Sequence, residues 1–154
     1  IRRPPRYTLF PYTTLFRSAA SRALKANIDL LLGTERAAVL YNAVDPVLFA
    51  PGPPDPGLRR SLGIDPREAV LGFSGELRLK KGLPFLLDAL ARVRRVRPAC
   101  LLVIGEIRGR DTLLLENFRA ERPEDAARVI VTGHIPDPAE VAGRLRLCDL
   151  FLHP

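Results

Sequence analysis

Four short apolar runs interrupt this chain without any polar alternation: "AVLGFSG" (69 to 75), "CLLVIGE" (100 to 106), "RVIVTGH" (128 to 134) and "DLFLHP" (149 to 154). A strand with one wet face alternates apolar and polar residues, whereas a strand covered on both faces does not. Helical stretches separate the runs. Residues 82 to 97 stack Leu83, Leu86, Leu87, Leu90 and Val93 on one side, with Asp88, Arg92 and Arg95 on the other. Residues 111 to 121 place Leu114, Leu115 and Phe118 at helical spacing. The stretch 138 to 147 opens with Asp137 as N-cap, Pro138 at the first position and Glu140 placed to close a capping box, then buries Val141 and Leu145. Strand, helix, strand in this order requires right-handed crossovers and gives a parallel sheet. The expectation is an α/β fold with helices covering the sheet.

The 154 residues, 47% of them apolar, amount to one domain's worth of chain with material for a core. Not all of it is expected to belong. Residues 8 to 18, "TLFPYTTLFRS", resemble the in-frame translation of a sequencing-library adapter, and the preceding "IRRPPRY" has neither helical nor strand period. Residues 1 to 18 are therefore set aside as a non-native segment. The alternative is an Arg-rich arm or transit-like tail. Residues 19 to 57 read as a hinge helix, "SRALKANIDLLL" stopped by Gly33, a short strand within "AAVLYNAVDP" (37 to 46), and the Pro/Gly linker "APGPPDPG". Asp55 can cap and Pro56 open a short helix carrying Leu58 and Leu62, closed by Gly63, and residues 58 to 154 form the α/β domain.

The net charge of +7 falls to +3 once Arg2, Arg3, Arg6 and Arg17 are set aside with the first segment. No dense basic face interleaved with aromatics remains, so nucleic acid is not an expected partner. Cys100 and Cys148 each sit inside an apolar run, have no metal-ligand spacing and give no disulfide framework. No run approaches the ~18 apolar residues of a membrane helix, and no secretory pattern is present. The expected location is the cytoplasm.

The stretch "GFSGELRLKKGLPFLLDAL" (72 to 90) breaks from an apolar strand at Gly75 into charge and resumes as a helix at Gly82. In a doubly wound sheet, ligands bind beyond the carboxyl ends of the strands, where loops lead into helix N-termini. Gly75 lets backbone approach a ligand, the N–H groups of Gly82 and Leu83 are expected free at the helix start, and Arg78, Lys80 and Lys81 add positive charge. The segment has the parts of a pyrophosphate grip; a solvated charged turn is the bland alternative. It is neither a Walker loop nor a GxGxxG fingerprint.

"VLYNAVDPVLFAP", "LGFSGELRLKKGLPFLLDALARV", "LLVIGE", "VIVTGHI" and "CDLFLHP" together resemble the GT-B fold glycosyltransferases of the family 4 type, in the front part of their C-terminal donor-binding domain, over residues 21 to 154. The resemblance implies a Rossmann-like domain that binds a nucleotide-diphosphate sugar as donor substrate, with a saccharide or lipid acceptor held by an N-terminal half. It implies a transferase, retaining in type, that needs no cofactor and no bound metal ion, because side-chain cations and helix dipoles stabilise the departing diphosphate. Peripheral association of the full-length protein with the cytoplasmic membrane is part of the same expectation. Gly75, Lys81 and Gly82 match the family's glycine, arginine, lysine, glycine pattern, but Glu76 stands at the arginine position, and Arg78 or Lys80 is left to supply the missing charge. Gly133, His134 and Ile135 match the segment near the nucleotide base, against the plainer reading of His134 as a surface turn residue. Gly105 and Glu106 face the same rim with no assigned role. The family's paired glutamates would lie beyond Pro154, so the chain is read as an inactive fragment whose last strand exposes Leu150, Phe151 and Leu152. A non-catalytic binding or scaffold module, or another GT-B enzyme such as a sugar-nucleotide epimerase or glycogen-type synthase, remains open.

Overall fold

The computed structural model of the chain describes residues 18–33, 35, 37–107, 109 and 111–154. The segment set aside as non-native lies outside the described residues except for Ser18. Two compact units form, the first ending at Asp45 and the second running from Pro46 to Pro154.

In the first unit, β1 (Ser18–Ala19) pairs in parallel with β2 (Ala38–Val39) across α1 (Arg22–Leu32). The Ser21 hydroxyl accepts from the Leu24 amide at 3.1 Å and starts α1, and Gly33 ends it. The strand expected within 37 to 46 is two residues long among the described residues, with Ser18 opposite Ala38 and Ala19 opposite Val39. Lys25 pairs with Asp29 one turn along, and with the Ala37 amide it holds the Asp29 carboxyl below the usual carboxylate value.

The second unit holds α2 (Pro56–Ser61), β3 (Ala69–Ser74), α3 (Leu83–Arg94), β4 (Ala99–Ile104), α4 (Thr112–Glu121), α5 (Pro123–Ala126), β5 (Val129–Val131), α6 (Pro138–Leu145) and β6 (Leu150–Phe151). The four strands form one parallel sheet in the order β5-β4-β3-β6, with Ala69 opposite Ala99, Leu101 opposite Val129 and Leu71 opposite Leu150. β3 and β4 are buried along almost their whole length, as unbroken apolar runs require.

Alternation assigns each strand residue to one of two cores. Leu71, Phe73, Leu101 and Val103 face Leu83, Leu86, Leu87 and Leu90 of α3, with Leu114, Leu115 and Phe118 of α4 packed beside them. Val70, Cys100, Leu102 and Ile104 face the other way, onto Ile64 and Leu147, with Leu58 of α2 and Val141 and Leu145 of α6. The apolar sides of α3, α4 and α6 are those that the sequence spacing indicates.

Local chemistry sets the boundaries. Asp55 accepts from the Gly57 amide at 2.7 Å and Asp137 from the Ala139 amide at 2.8 Å, each with a proline at the next position. Glu140 does not serve as the expected capping-box partner: its carboxylate accepts from Arg144 at 3.0 Å, one turn onward along the helix. Pro123 stops α4 and opens the short α5, an element the periodicity does not reveal. Asp149 joins β6 to β3 twice, its amide donating to Val70 O at 2.9 Å and its carboxylate accepting from Val70 N at 2.8 Å. Leu150 and Phe151 are exposed, whereas Leu152, expected to be open to water, is partly buried against the α3 core.

The order of the strands fixes where a ligand can sit. The chain steps outward from β3 to β4 to β5, then returns through α6 to place β6 on the opposite side of β3. The crevice beyond the carboxyl ends of β3 and β6 is the switch point of the sheet.

Candidate functional site

β3 hands over to the charged loop at Gly75, where the backbone turns to φ 121°. Pairing with the neighbouring strand continues beyond that turn: Gly75 N donates to Ile104 O at 2.9 Å and Leu77 N to Glu106 O at 2.8 Å, and Leu77 bridges Ile107. Leu77 is fully buried. Glu76 and Arg78, one step to either side of it, therefore share the opposite face, and their side chains form an ion pair. Glu76 is the more enclosed of the two, with side-chain exposures of 24% against 41% for Arg78.

The loop then tightens into a single 3-10 turn, Leu79–Lys81, that leaves Lys80 and Lys81 exposed. The amides expected to be free at the start of α3 are not free. Gly82 N donates to Leu79 O at 3.1 Å and Leu83 N to Arg78 O at 3.3 Å, and Pro84 has no N–H to offer. The turn takes up two of the donors that a bare helix start would point outward, those of Gly82 and Leu83. Gly82 is buried because Pro154 crosses over it: a Cβ there would stand 2.6 Å from Pro154 Cβ.

On the other side of β3 lies a cavity of about 220 Å³, lined by Ser74, Gly75, Glu76, Ile104, Gly105, Glu106, His134, Ile135 and Val141. Gly105 closes against the Gly75 peptide, and its amide donates to Thr132 Oγ1 at 3.1 Å, which ties the end of β4 to the segment after β5. The Thr132 hydroxyl donates in turn to Gly133 O at 3.0 Å and shapes the turn that delivers His134 and Ile135.

Of the residues singled out from the sequence, Gly75, Glu76, His134 and Ile135 line one cavity, Arg78 reaches it through Glu76, and Gly133 supports its wall. Lys80, Lys81 and Gly82 occupy the adjoining turn and do not line it. Sequence reasoning left out Ser74, Ile104 and Val141 and gave Glu106 no role, although "GEL" at 75 to 77 and "GEI" at 105 to 107 repeat one pattern, and the Leu77–Ile107 bridge pairs the two copies. A more open cavity of about 590 Å³, between α2 and Pro66, lies before β3 and away from this loop.

Among the described residues no group of three or more His, Cys, Asp or Glu side chains could hold a metal ion. Among those same residues, no helix is long and apolar enough to cross a membrane.

The sheet order, the covering helices and the loop at the switch point define a Rossmann-like α/β domain of the GT-B kind. The family model described as glycosyl transferases group 1 matches residues 68–154. The D-inositol 3-phosphate glycosyltransferase of Segniliparus rotundus is 37% identical over 123 residues, covering 78% of this chain and 27% of that protein. The Anabaena protein HepE, solved in complex with UDP-glucose, superposes with a TM-score of 0.65 at 26% identity, over 88% of this chain and 37% of that one. The C-terminal domain of a glycosyl transferase group 1 family protein from Francisella tularensis matches with a TM-score of 0.56 at 23% identity, over 71% of this chain and 57% of that domain. The chain belongs to the group 1 glycosyl transferases, and it spans about a quarter of the length of the curated relative it matches.

Proposed function

We propose that the chain is the donor-binding part of a glycosyltransferase that moves a sugar from a nucleoside-diphosphate sugar to a saccharide or lipid acceptor, retaining the configuration at the transferred carbon. The observation that carries the reading is the loop from Gly75 to Gly82 at the switch point of the sheet, which presents Arg78, Lys80 and Lys81 beside a cavity of about 220 Å³. The binding of UDP-glucose by the Anabaena protein and the glycosyltransferase activity named for the Segniliparus relative support it.

The chemistry divides between the two parts. Glu76 and Glu106 line the cavity and disfavour phosphate there, so the cavity takes the uncharged base, against His134 and Ile135. The diphosphate lies over the turn, where Lys80 and Lys81 are exposed. As the sugar leaves, negative charge grows on the diphosphate, and fixed cations stabilise it without solvent reorganisation. In this reading side chains carry the charge and no bound metal ion is needed. The acceptor and the remaining donor contacts come from parts of the protein outside this chain, which by itself turns nothing over.

Calorimetric titration of the chain with UDP and with UDP-glucose tests the reading. Saturable binding is expected, weakened roughly tenfold by Lys81→Glu. Absence of any binding by the unaltered chain overturns the proposal, and an unchanged affinity in the variant removes Lys81 from the site. A chain that binds UDP, joined to a complete protein without transferase activity, would be the non-catalytic module.

A further inference from the structure

We propose that Glu76 is a positioning residue for Arg78: its carboxylate holds one edge of the guanidinium so that the remaining N–H groups face the diphosphate. The inference rests on the donor-site reading above and deepens it.

The backbone on either side of the pair is pinned. Leu77 between them is fully buried, hydrogen-bonded to Glu106 O and bridged to Ile107, so the two side chains leave one face of an extended segment from fixed bases. The Arg78 carbonyl accepts from Lys81 N at 2.9 Å and Leu83 N at 3.3 Å, which anchors the residue at its other end. Glu76 is three-quarters enclosed and lines the cavity, whereas Arg78 reaches further into solvent.

A guanidinium carries five N–H donors in a rigid fork, and the contact to Glu76 is made through Nη2. Occupying one edge leaves the other free for a bidentate grip on phosphate, with less side-chain freedom left to lose on binding. The turn makes this contribution matter, because the amides of Gly82 and Leu83 are already spent on Leu79 O and Arg78 O. The other cations of the loop are lysines, which act as point charges and do not orient a planar oxygen pair.

Positioning and plain repulsion predict opposite signs. A carboxylate that only opposes the anion should, when removed, let the diphosphate bind more tightly. A carboxylate that orients Arg78 should, when removed, let it bind more weakly, although the site has become more positive. The chain and its Glu76→Ala, Glu76→Gln, Arg78→Ala and doubly substituted Glu76→Ala/Arg78→Ala variants are titrated calorimetrically with UDP and with inorganic pyrophosphate, and circular dichroism melting verifies folding.

The expected result is a loss of about tenfold for Arg78→Ala and several-fold for Glu76→Ala, with the double variant no weaker than Arg78→Ala alone. Glu76→Gln, which keeps an oxygen acceptor, should restore most of the affinity; if the alanine variant does not fold, a Glu76→Gln affinity near that of the unaltered chain serves in its place. Tighter or equal binding by Glu76→Ala overturns the inference, as does tighter binding by Glu76→Gln. Unchanged binding by Arg78→Ala overturns it too, and leaves the donor reading standing if the unaltered chain binds UDP. Failure of the unaltered chain to bind UDP sinks both.

Discussion

The peptide carbonyl of Gly75 fills the space where a side chain on Gly105 would begin: a Cβ there would overlap the oxygen and stand 2.8 Å from the carbon. Gly105 also has φ 147°, a conformation that L side chains rarely adopt. The ends of β3 and β4 can therefore lie edge to edge only because the loop after β4 begins with glycine. Gly105→Ala is expected to cost about 3 kcal/mol, from strain plus displacement of the Gly75 peptide. Gly109→Ala, where a Cβ meets nothing within 4 Å, serves as the control and should stay within about 0.5 kcal/mol. Urea unfolding midpoints measure both; equal midpoints would refute the contact.

Gly72 is needed for space alone. A Cβ on it would overlap the Cys148 sulfur and stand 2.9 Å from Cys148 Cβ, where the chain turns into β6. Gly72→Ala should destabilise by about 2 kcal/mol through overpacking. Adding Cys148→Ala should recover part of that loss, because the sulfur goes while the Cβ stays. A double-mutant cycle in urea checks the coupling, and strictly additive changes would contradict it.

Glu68 is buried at the head of β3, and Arg128, before β5, donates to it through Nε at 2.7 Å and also through Nη2. The second carboxylate oxygen also accepts from Asp65 N at 3.0 Å, and Arg128 reaches Gly63 O at 3.1 Å. Removing one partner strands a charge that has few alternatives. Arg128→Leu should cost about 3 kcal/mol, and Glu68→Gln less, since an amide keeps an acceptor. Thermal unfolding at neutral pH checks the order, which a larger loss for Glu68→Gln would reverse.

Both thiols are pushed from an ordinary 9.0 up to about 11, by burial first and then, for Cys100, by the charge of Glu68 and, for Cys148, by Cys100. Between those values the unfolded chain has lost protons that the folded chain keeps, so each thiol's contribution is whole below pH 9 and is lost as pH rises through about 11. Melting temperatures should fall across that window, and Cys148→Ala should flatten the fall. The native thiols should also resist alkylation at neutral pH. Fast modification of both in the folded chain would show that the burial is wrong.

Part of this was legible in the letters because it depends on neighbours in sequence. Leu83, Leu86, Leu87 and Leu90 form a helical stripe whatever they face, and that stripe is the one that meets the sheet. Asp55 and Asp137, each followed by proline, announce their helices in the same way. The candidate site was half legible: Gly75, Glu76, His134 and Ile135 meet in one cavity, yet the free amides expected at Gly82 and Leu83 are taken up by the 3-10 turn. Whether a loop spends its own donors depends on how sharply it turns, and periodicity carries no record of that. Glu140, suited by spacing to a capping box, pairs with Arg144 because both partners were available one turn apart.

By itself the sequence determined the kind of elements, the apolar side of each helix, the parallel character of the sheet and the loop that carries charge. These follow from side-chain periodicity and from backbone chemistry within a few residues. Only the tertiary structure decided that β6 returns beside β3 and creates the switch point, that Gly105 abuts Gly75, and that Arg78 reaches back to Glu76. Those relationships arise when segments far apart in sequence, or side chains on one rigid face, compete for the same space and the same hydrogen-bond partners, and packing settles that competition.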